Sequence, residues 1–144
     1  MKPDPHRLDL ATYPRCKPVP IRFSDVDMFR HLNNVATGQF YEEARFELLA
    51  EARELVAKED RGALVVASVN TSFLGQARYP GVIDVGTGIL RIGERSLVIA
   101  QGLFVGGRCI GIADSAIVST GPEGAVPIAD PVRLFLSSLV IAVD

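Results

Sequence analysis

Asp25, Asp27, His31, Asn33 and Asn34 fall within one short polar stretch of the chain. A strand-like approach ending in Ile21, Arg22 and Phe23 leads into it, and a helical pattern follows it. A helix that begins near Asn33 or Asn34 leaves its first backbone N–H groups unpaired and carries a partial positive charge at that end. Asp27 supplies a carboxylate a few residues upstream, so a base and an anion-stabilising site lie close together in sequence. Such a carboxylate can activate water or attack a carbonyl directly, and the sequence leaves both routes open. Donors fixed where charge develops on the carbonyl oxygen would lower the barrier by about 3 to 4 kcal/mol.

The elements that must position these groups can be read from periodicity. From Val35 to about Lys58, residues Tyr41, Ala44, Leu48, Ala52 and Leu55 recur at spacings of three and four, which puts them on one helical face. Glu54 and Lys58 make an i,i+4 pair near its end. Asn33 or Asn34 can cap its start. Gly38 lies inside the helix, where it costs about 1 kcal/mol relative to Ala, so packing or ligand access must require the missing side chain. Residues 63–73, 82–92, 96–105 and 108–118 read as strands, with turns at Tyr79-Pro80-Gly81, Gly93-Glu94-Arg95 and Gly106-Gly107. A strand near residues 17–23 precedes the helix, and Asp130-Pro131 opens a short helix to about Leu139, with Asp130 as its cap. Residues 1–15 hold Pro3, Pro5 and Pro14 and read as an extended N-terminal arm. One long helix and about five antiparallel strands around one core predict an α+β layer fold, the sheet wrapping the helix.

Length and composition agree with one domain over residues 1–144 that needs no metal or disulfide staple. Net charge is −2, and the Lys and Arg residues are scattered, which argues against a nucleic-acid partner. Apolar runs are too short for a bilayer. Cys16 and Cys109 are the only cysteines, and a reduced cytoplasmic setting is the expectation. Two histidines and two distant cysteines do not make a zinc site. Residues 85–91 lack the third glycine of a dinucleotide loop, there is no G-x-S-x-G, and Ser24 has no base and orienter pattern.

The central stretch resembles the signature of the hotdog-fold acyl-CoA thioesterases of the 4-hydroxybenzoyl-CoA thioesterase type. The matching residues are Asp25-Val26-Asp27, then Met28-Phe29-Arg30, then His31-Leu32-Asn33-Asn34, and later Glu42-Glu43-Ala44-Arg45. Arg30 stands where that family usually has Gly, and Thr37-Gly38 where an aromatic residue is common. The resemblance implies a hotdog fold, hydrolysis of an acyl-CoA to carboxylate and CoA, no cofactor, and pairing of subunits into a homodimer or homotetramer. It makes Asp27 the catalytic carboxylate and the backbone N–H of Asn34, with Val35 beside it, the oxyanion donor. His31 can polarise the carbonyl, place a water or simply hold a backbone carbonyl. Asn33, Gly38, Tyr41 and Phe73 are the expected acyl contacts, with Asp25 organising the turn and Glu42 and Glu43 on solvent or an interface. Arg95, with Arg78, Arg91 and Arg108, is a candidate for the CoA phosphates. An acyl-carrier-protein thioesterase, a hydroxyacyl-thioester dehydratase using His31, and a non-catalytic acyl-thioester binding module are the alternatives.

Overall fold

A computed structural model describes residues 2–143; Met1 and Asp144, the ends of the expected single domain, lie outside the described residues. Two 3-10 turns at Pro5–Leu8 and Leu10–Thr12 lead to β1 (Arg15–Pro20), a third 3-10 turn at Phe23–Asp25, and α1 (Asn34–Arg53). Then follow β2 (Ala63–Phe73), β3 (Val82–Ile92), β4 (Ser96–Val105), β5 (Arg108–Gly121), the short β6 (Gly124–Ala125) and α2 (Asp130–Ser137). The strands form one antiparallel sheet in the order β1-β3-β4-β5-β2, with β6 paired to the end of β5. The sheet curls around α1, which is the hotdog arrangement expected from the sequence.

One face of the sheet meets α1. Phe40, Tyr41 and Ala44 pack on Ile83, Val85, Leu103 and Ile110 near the start of the helix. Leu48 and Ala52 join Ile89, Leu97, Ile99 and Ile117, with Val132 and Leu136 of α2, further along. Each large side chain buried this way stabilises the fold by roughly 1.5 to 3 kcal/mol. A polar strip divides the two clusters: Gln101 donates to the Tyr41 carbonyl at 3.0 Å and to Thr87 Oγ1 at 3.1 Å, and Arg45 donates to Ser115 Oγ at 3.1 Å.

The other face is covered by the N-terminal turns and the C-terminal segment, and here the extended arm of the sequence reading is corrected. Asp4 and Asp9 accept from the N–H groups of His6 and Ala11, both at 2.9 Å, so each starts a turn instead of an extended run. Arg7 is buried beneath them. It donates to the Tyr13 hydroxyl at 3.0 Å and lies 2.7 Å from Asp114 Oδ1, an ion pair without a well-aligned hydrogen bond. Burial lowers the Arg7 pKa, and the ion pair with Asp114 and the hydrogen bond to Tyr13 more than offset that, leaving it raised. Tyr13 lies over Gly86 and Gly102, where a Cβ would sit only 2.8 and 3.0 Å from its atoms, so glycine is needed for the close approach.

β2, β3 and β4 have the expected bounds, but three neighbouring expectations change. β1 ends at Pro20 and Phe23 belongs to the following turn, because the Asp25 carboxylate takes the Arg22 N–H at 2.7 Å and bends the chain. α1 stops at Arg53: the N–H groups of Leu55 and Val56 bond carbonyls three residues back, and Arg61 Nε takes the Val56 carbonyl at 2.9 Å. Glu54 therefore pairs with Arg61, at 3.4 Å, and not with Lys58, and Leu55 leaves the buried stripe. The N-cap of α2 is Ala129, with Asp130 already inside the helix.

Candidate active site

The loop between β1 and α1 is a small ribbon with a fixed shape. Asp27 N–H donates to the His31 carbonyl at 2.9 Å, and Val26 pairs with Leu32. His31 pairs with Arg78, the Leu32 N–H reaches the Ala77 carbonyl at 2.9 Å, and the Tyr79 N–H reaches the Arg30 carbonyl at 3.0 Å. The loop is thus tied to the segment between β2 and β3. At its tip Asp27 Oδ1 accepts from the Phe29 N–H at 2.9 Å and the His31 N–H at 3.1 Å. Among the described residues, Oδ2 has no hydrogen-bond partner.

The loop closes on the start of α1. Asn33 is the N-cap: its backbone is extended (ψ 139°), and its Oδ1 accepts from the Val35 N–H at 2.7 Å. The Thr37 N–H makes the first turn of the helix by bonding the Asn33 carbonyl at 2.9 Å. The Asn34 N–H has no acceptor among the described residues, and the helix dipole adds to its pull on an anion.

The residues that carry these groups, Asp27 and Asn34, line one cavity of about 410 Å³. Asp27, His31, Asn33, Asn34 and Thr37 line one side, and Phe73 and Ile110 the other. Five of the expected site residues are therefore brought together: Asp27, His31, Asn33, Asn34 and Phe73. Val35 does not line the cavity; it is 81% exposed, and its N–H is already taken by Asn33. Gly38 is exposed one turn further along α1. Tyr41 does not line the cavity; it is fully buried, its hydroxyl lies beneath Gly111, and burial pushes its pKa up. Arg95 lies in the turn before β4, at the far end of β3 from the loop and so about 30 Å away within one chain. Arg91 is at that end too.

Arg30, Arg78 and Arg108 lie on the near side. Arg78 is paired with His31, and Arg108 donates to the carbonyl of Gln76, a residue of the cavity wall, at 3.1 Å. All three are exposed, and none has an ion pair among the described residues. Sequence reasoning missed Thr37 and Ile110. Thr37 was within reach of it, since it stands three residues after Asn34 and shares its face; Ile110 arrives only through the pairing of β5 with the chain beyond β2.

A second cavity, of about 220 Å³, lies across the loop and is lined by Arg22, Asp25, Gln39 and Glu43 with Phe40. It offers no free base from the loop, because Asp25 is committed to Arg22. Burial alone would raise the Asp25 carboxyl, but the side-chain and backbone hydrogen bonds of Arg22 hold it below the ordinary carboxylate range. Among the described residues, no group of three or more His, Cys, Asp or Glu side chains is placed to hold a metal ion. No described helix is long and apolar enough to cross a membrane.

Comparison with solved structures finds the same fold. A protein of Pseudomonas aeruginosa strain PAO1 is 22% identical with TM-score 0.83, over 99% of this chain and 100% of its own. A predicted thioesterase of Bacillus stearothermophilus is 24% identical with TM-score 0.78, over 87% and 95%. A thioesterase of Thermus thermophilus, solved with coenzyme A and Zn, is 21% identical with TM-score 0.76, over 89% and 95%. At these identities the likeness is one of fold. No curated protein matches the sequence significantly. The family model of the thioesterase-like superfamily matches residues 21–130, from the loop that carries Asp27 to the first residue of α2, and the chain belongs to that superfamily.

Proposed function

We propose that this protein hydrolyses an acyl-CoA thioester, in the manner of the 4-hydroxybenzoyl-CoA thioesterase type, with Asp27 as the catalytic carboxylate and the Asn34 N–H as the oxyanion donor. The observation that carries this reading is that Asp27 and Asn34, whose Oδ2 and backbone N–H have no hydrogen-bond partner among the described residues, both line the 410 Å³ cavity. The thioester carbonyl lies between them. Oδ2 either takes a proton from water or attacks the carbonyl carbon, and the oxygen that gains charge turns toward the helix N-terminus. In the base route the C–S bond breaks as the proton held by Asp27 passes to the departing thiolate. In the nucleophilic route it breaks to leave an acyl anhydride on Asp27, which a water hydrolyses as the thiolate takes up a proton. Both routes end in the CoA thiol and the free carboxylate. Arg30, Arg78 and Arg108 form a basic rim suited to the CoA phosphates, and they replace Arg95 in that role within one chain. The thioesterase of Thermus thermophilus solved with coenzyme A supports CoA as the carrier.

Phe73, at the end of β2, lines the cavity, and among the described residues no strand pairs with the outer edge of β2. A second copy paired along β2 would cover that edge, giving a homodimer.

The test is thiol release from a panel of acyl-CoAs. Asp27→Asn is expected to lower kcat by about 10²- to 10⁴-fold with KM little changed. Unchanged turnover would remove Asp27 from the mechanism. His31 favours a second reading, because its ring borders the same cavity and has no hydrogen-bond partner among the described residues. Loss of activity in His31→Ala with a normal Asp27→Asn would point to dehydration of a hydroxyacyl thioester.

A further inference from the structure

We infer that Asp25 is the positioning residue of this site, setting the place of the Asn34 N–H relative to Asp27. This rests on the proposed hydrolase reading. Asp25 is only 2% exposed, and it joins three parts of the chain. Its carboxylate accepts from the Arg22 backbone N–H at 2.7 Å and from Arg22 Nη2 at 2.9 Å. Its backbone carbonyl accepts from the Asn33 N–H at 2.8 Å, the residue that caps α1. Arg22 Nη2 also reaches Gln39 Oε1, at 3.0 Å, on the second turn of the helix.

The consequence is geometric. Asp27 lies two residues after Asp25 in the loop, and Asn34 one residue after Asn33 in the helix. The clamp therefore spans the gap between carboxylate and oxyanion donor without touching the cavity, because the Asp25 side chain faces the other side of the loop. A buried carboxylate bonded to Arg22, just past β1, and through Arg22 to Gln39 of α1, on a residue whose own carbonyl holds the cap, fixes that gap more tightly than loop packing would. Displacing groups at a reacting centre by about 1 Å can cost about 10²-fold in rate.

The experiment compares Asp25→Asn, Arg22→Met, Asp27→Asn and the double variant Asp25→Asn/Asp27→Asn in acyl-CoA hydrolysis, with kcat and KM measured separately and folding checked by thermal unfolding. Asp25→Asn keeps the size and an acceptor oxygen but loses the charged pair. It is expected to lower kcat by about 10- to 10²-fold with KM unchanged. Arg22→Met acts from the exposed partner and leaves the buried acceptor in place; a smaller loss of the same kind is expected. In the Asp27→Asn background, Asp25→Asn is expected to add little, because the geometry it sets no longer matters. Full kcat in both folded single variants overturns the inference, as does a fully additive loss in the double variant. Normal turnover of Asp27→Asn would instead remove the hydrolase reading itself.

Discussion

Arg30 shows most directly how the loop holds its chemistry. It adopts φ 64°, the left-handed region, which costs an L-residue about 1 to 2 kcal/mol. The conformation persists because the Arg30 N–H bonds the Asp27 carbonyl and the Arg30 carbonyl accepts from Tyr79, both at 3.0 Å. The family signature that the loop resembles has Gly at this position, and the positive φ gives a physical reason for it. Arg30→Gly should relieve the strain but add freedom to the unfolded chain, so stability should be unchanged or rise by less than about 1 kcal/mol. It also removes one cation from the rim, so KM for an acyl-CoA should rise, most at low salt, with kcat kept. Thermal unfolding and salt-dependent kinetics check both; a large fall in stability would mean that the side chain itself holds the turn. The neighbouring residues were largely legible because their relations are local. That Asp27, His31, Asn33 and Asn34 come together at one cavity follows from their short spacing in the loop, while their roles come from the family resemblance. Which asparagine caps the helix does not follow from spacing, and that choice decides whether the Asn34 or the Val35 N–H is spent.

At the scale of elements, Gly38 on α1 separates two explanations. A Cβ built there meets nothing within 4 Å, so packing within the chain does not require glycine at this position. A requirement for glycine there would come from outside the chain, from the acyl group or a second subunit. Gly38→Ala is therefore expected to stabilise the isolated fold by about 0.5 to 1 kcal/mol through helix propensity. The same change should lower kcat/KM for the bulkier acyl-CoAs of a panel more than for the smaller ones. Equal losses across the panel with a lower melting temperature would contradict both halves. The strands were legible because Gly-rich turns bound them on each side, which is why β2, β3 and β4 begin and end as expected. β1 and the end of α1 were not, because side chains distant from the local pattern, Asp25 on Arg22 and Arg61 on Val56, cut those elements short. The place of Arg95 was legible in principle, since successive hairpins alternate ends and β3 is eleven residues long.

The whole molecule leaves one face unsatisfied. β2 lies at the edge of the sheet, and Val65, Val66, Val69, Phe73 and Leu74 are 40–54% exposed on or beside it. Across the groove, Phe46 of α1 is 71% exposed and Val35 81%. Soluble proteins seldom leave a long apolar edge strand bare, because its open N–H and C=O groups template further pairing. Arg45 adds an electrostatic argument: it is buried, burial lowers its pKa, and Ser115 is its only hydrogen-bond partner among the described residues. Glu42 of the same chain acts on Arg45 only through space, without an ion pair among the described residues, and a second copy could bring a carboxylate into contact with it. Glu42 lies on the same side of α1, so an isologous pairing would set Glu42 of each subunit toward Arg45 of the other. The family resemblance implied that subunits pair, but not along which edge: in the sequence β2 reads as any other strand until the sheet order places it at an edge. Val69→Lys puts a cation beside Arg45 on that edge. Since Val69 is already 47% exposed in the single chain, the variant should fold. It should run as a monomer by light scattering while the native chain runs as a dimer, and its turnover should fall because the side of the cavity near Phe73 stays open to water. A native chain that is monomeric at assay concentration and fully active would show instead that the single subunit's cavity is the complete site.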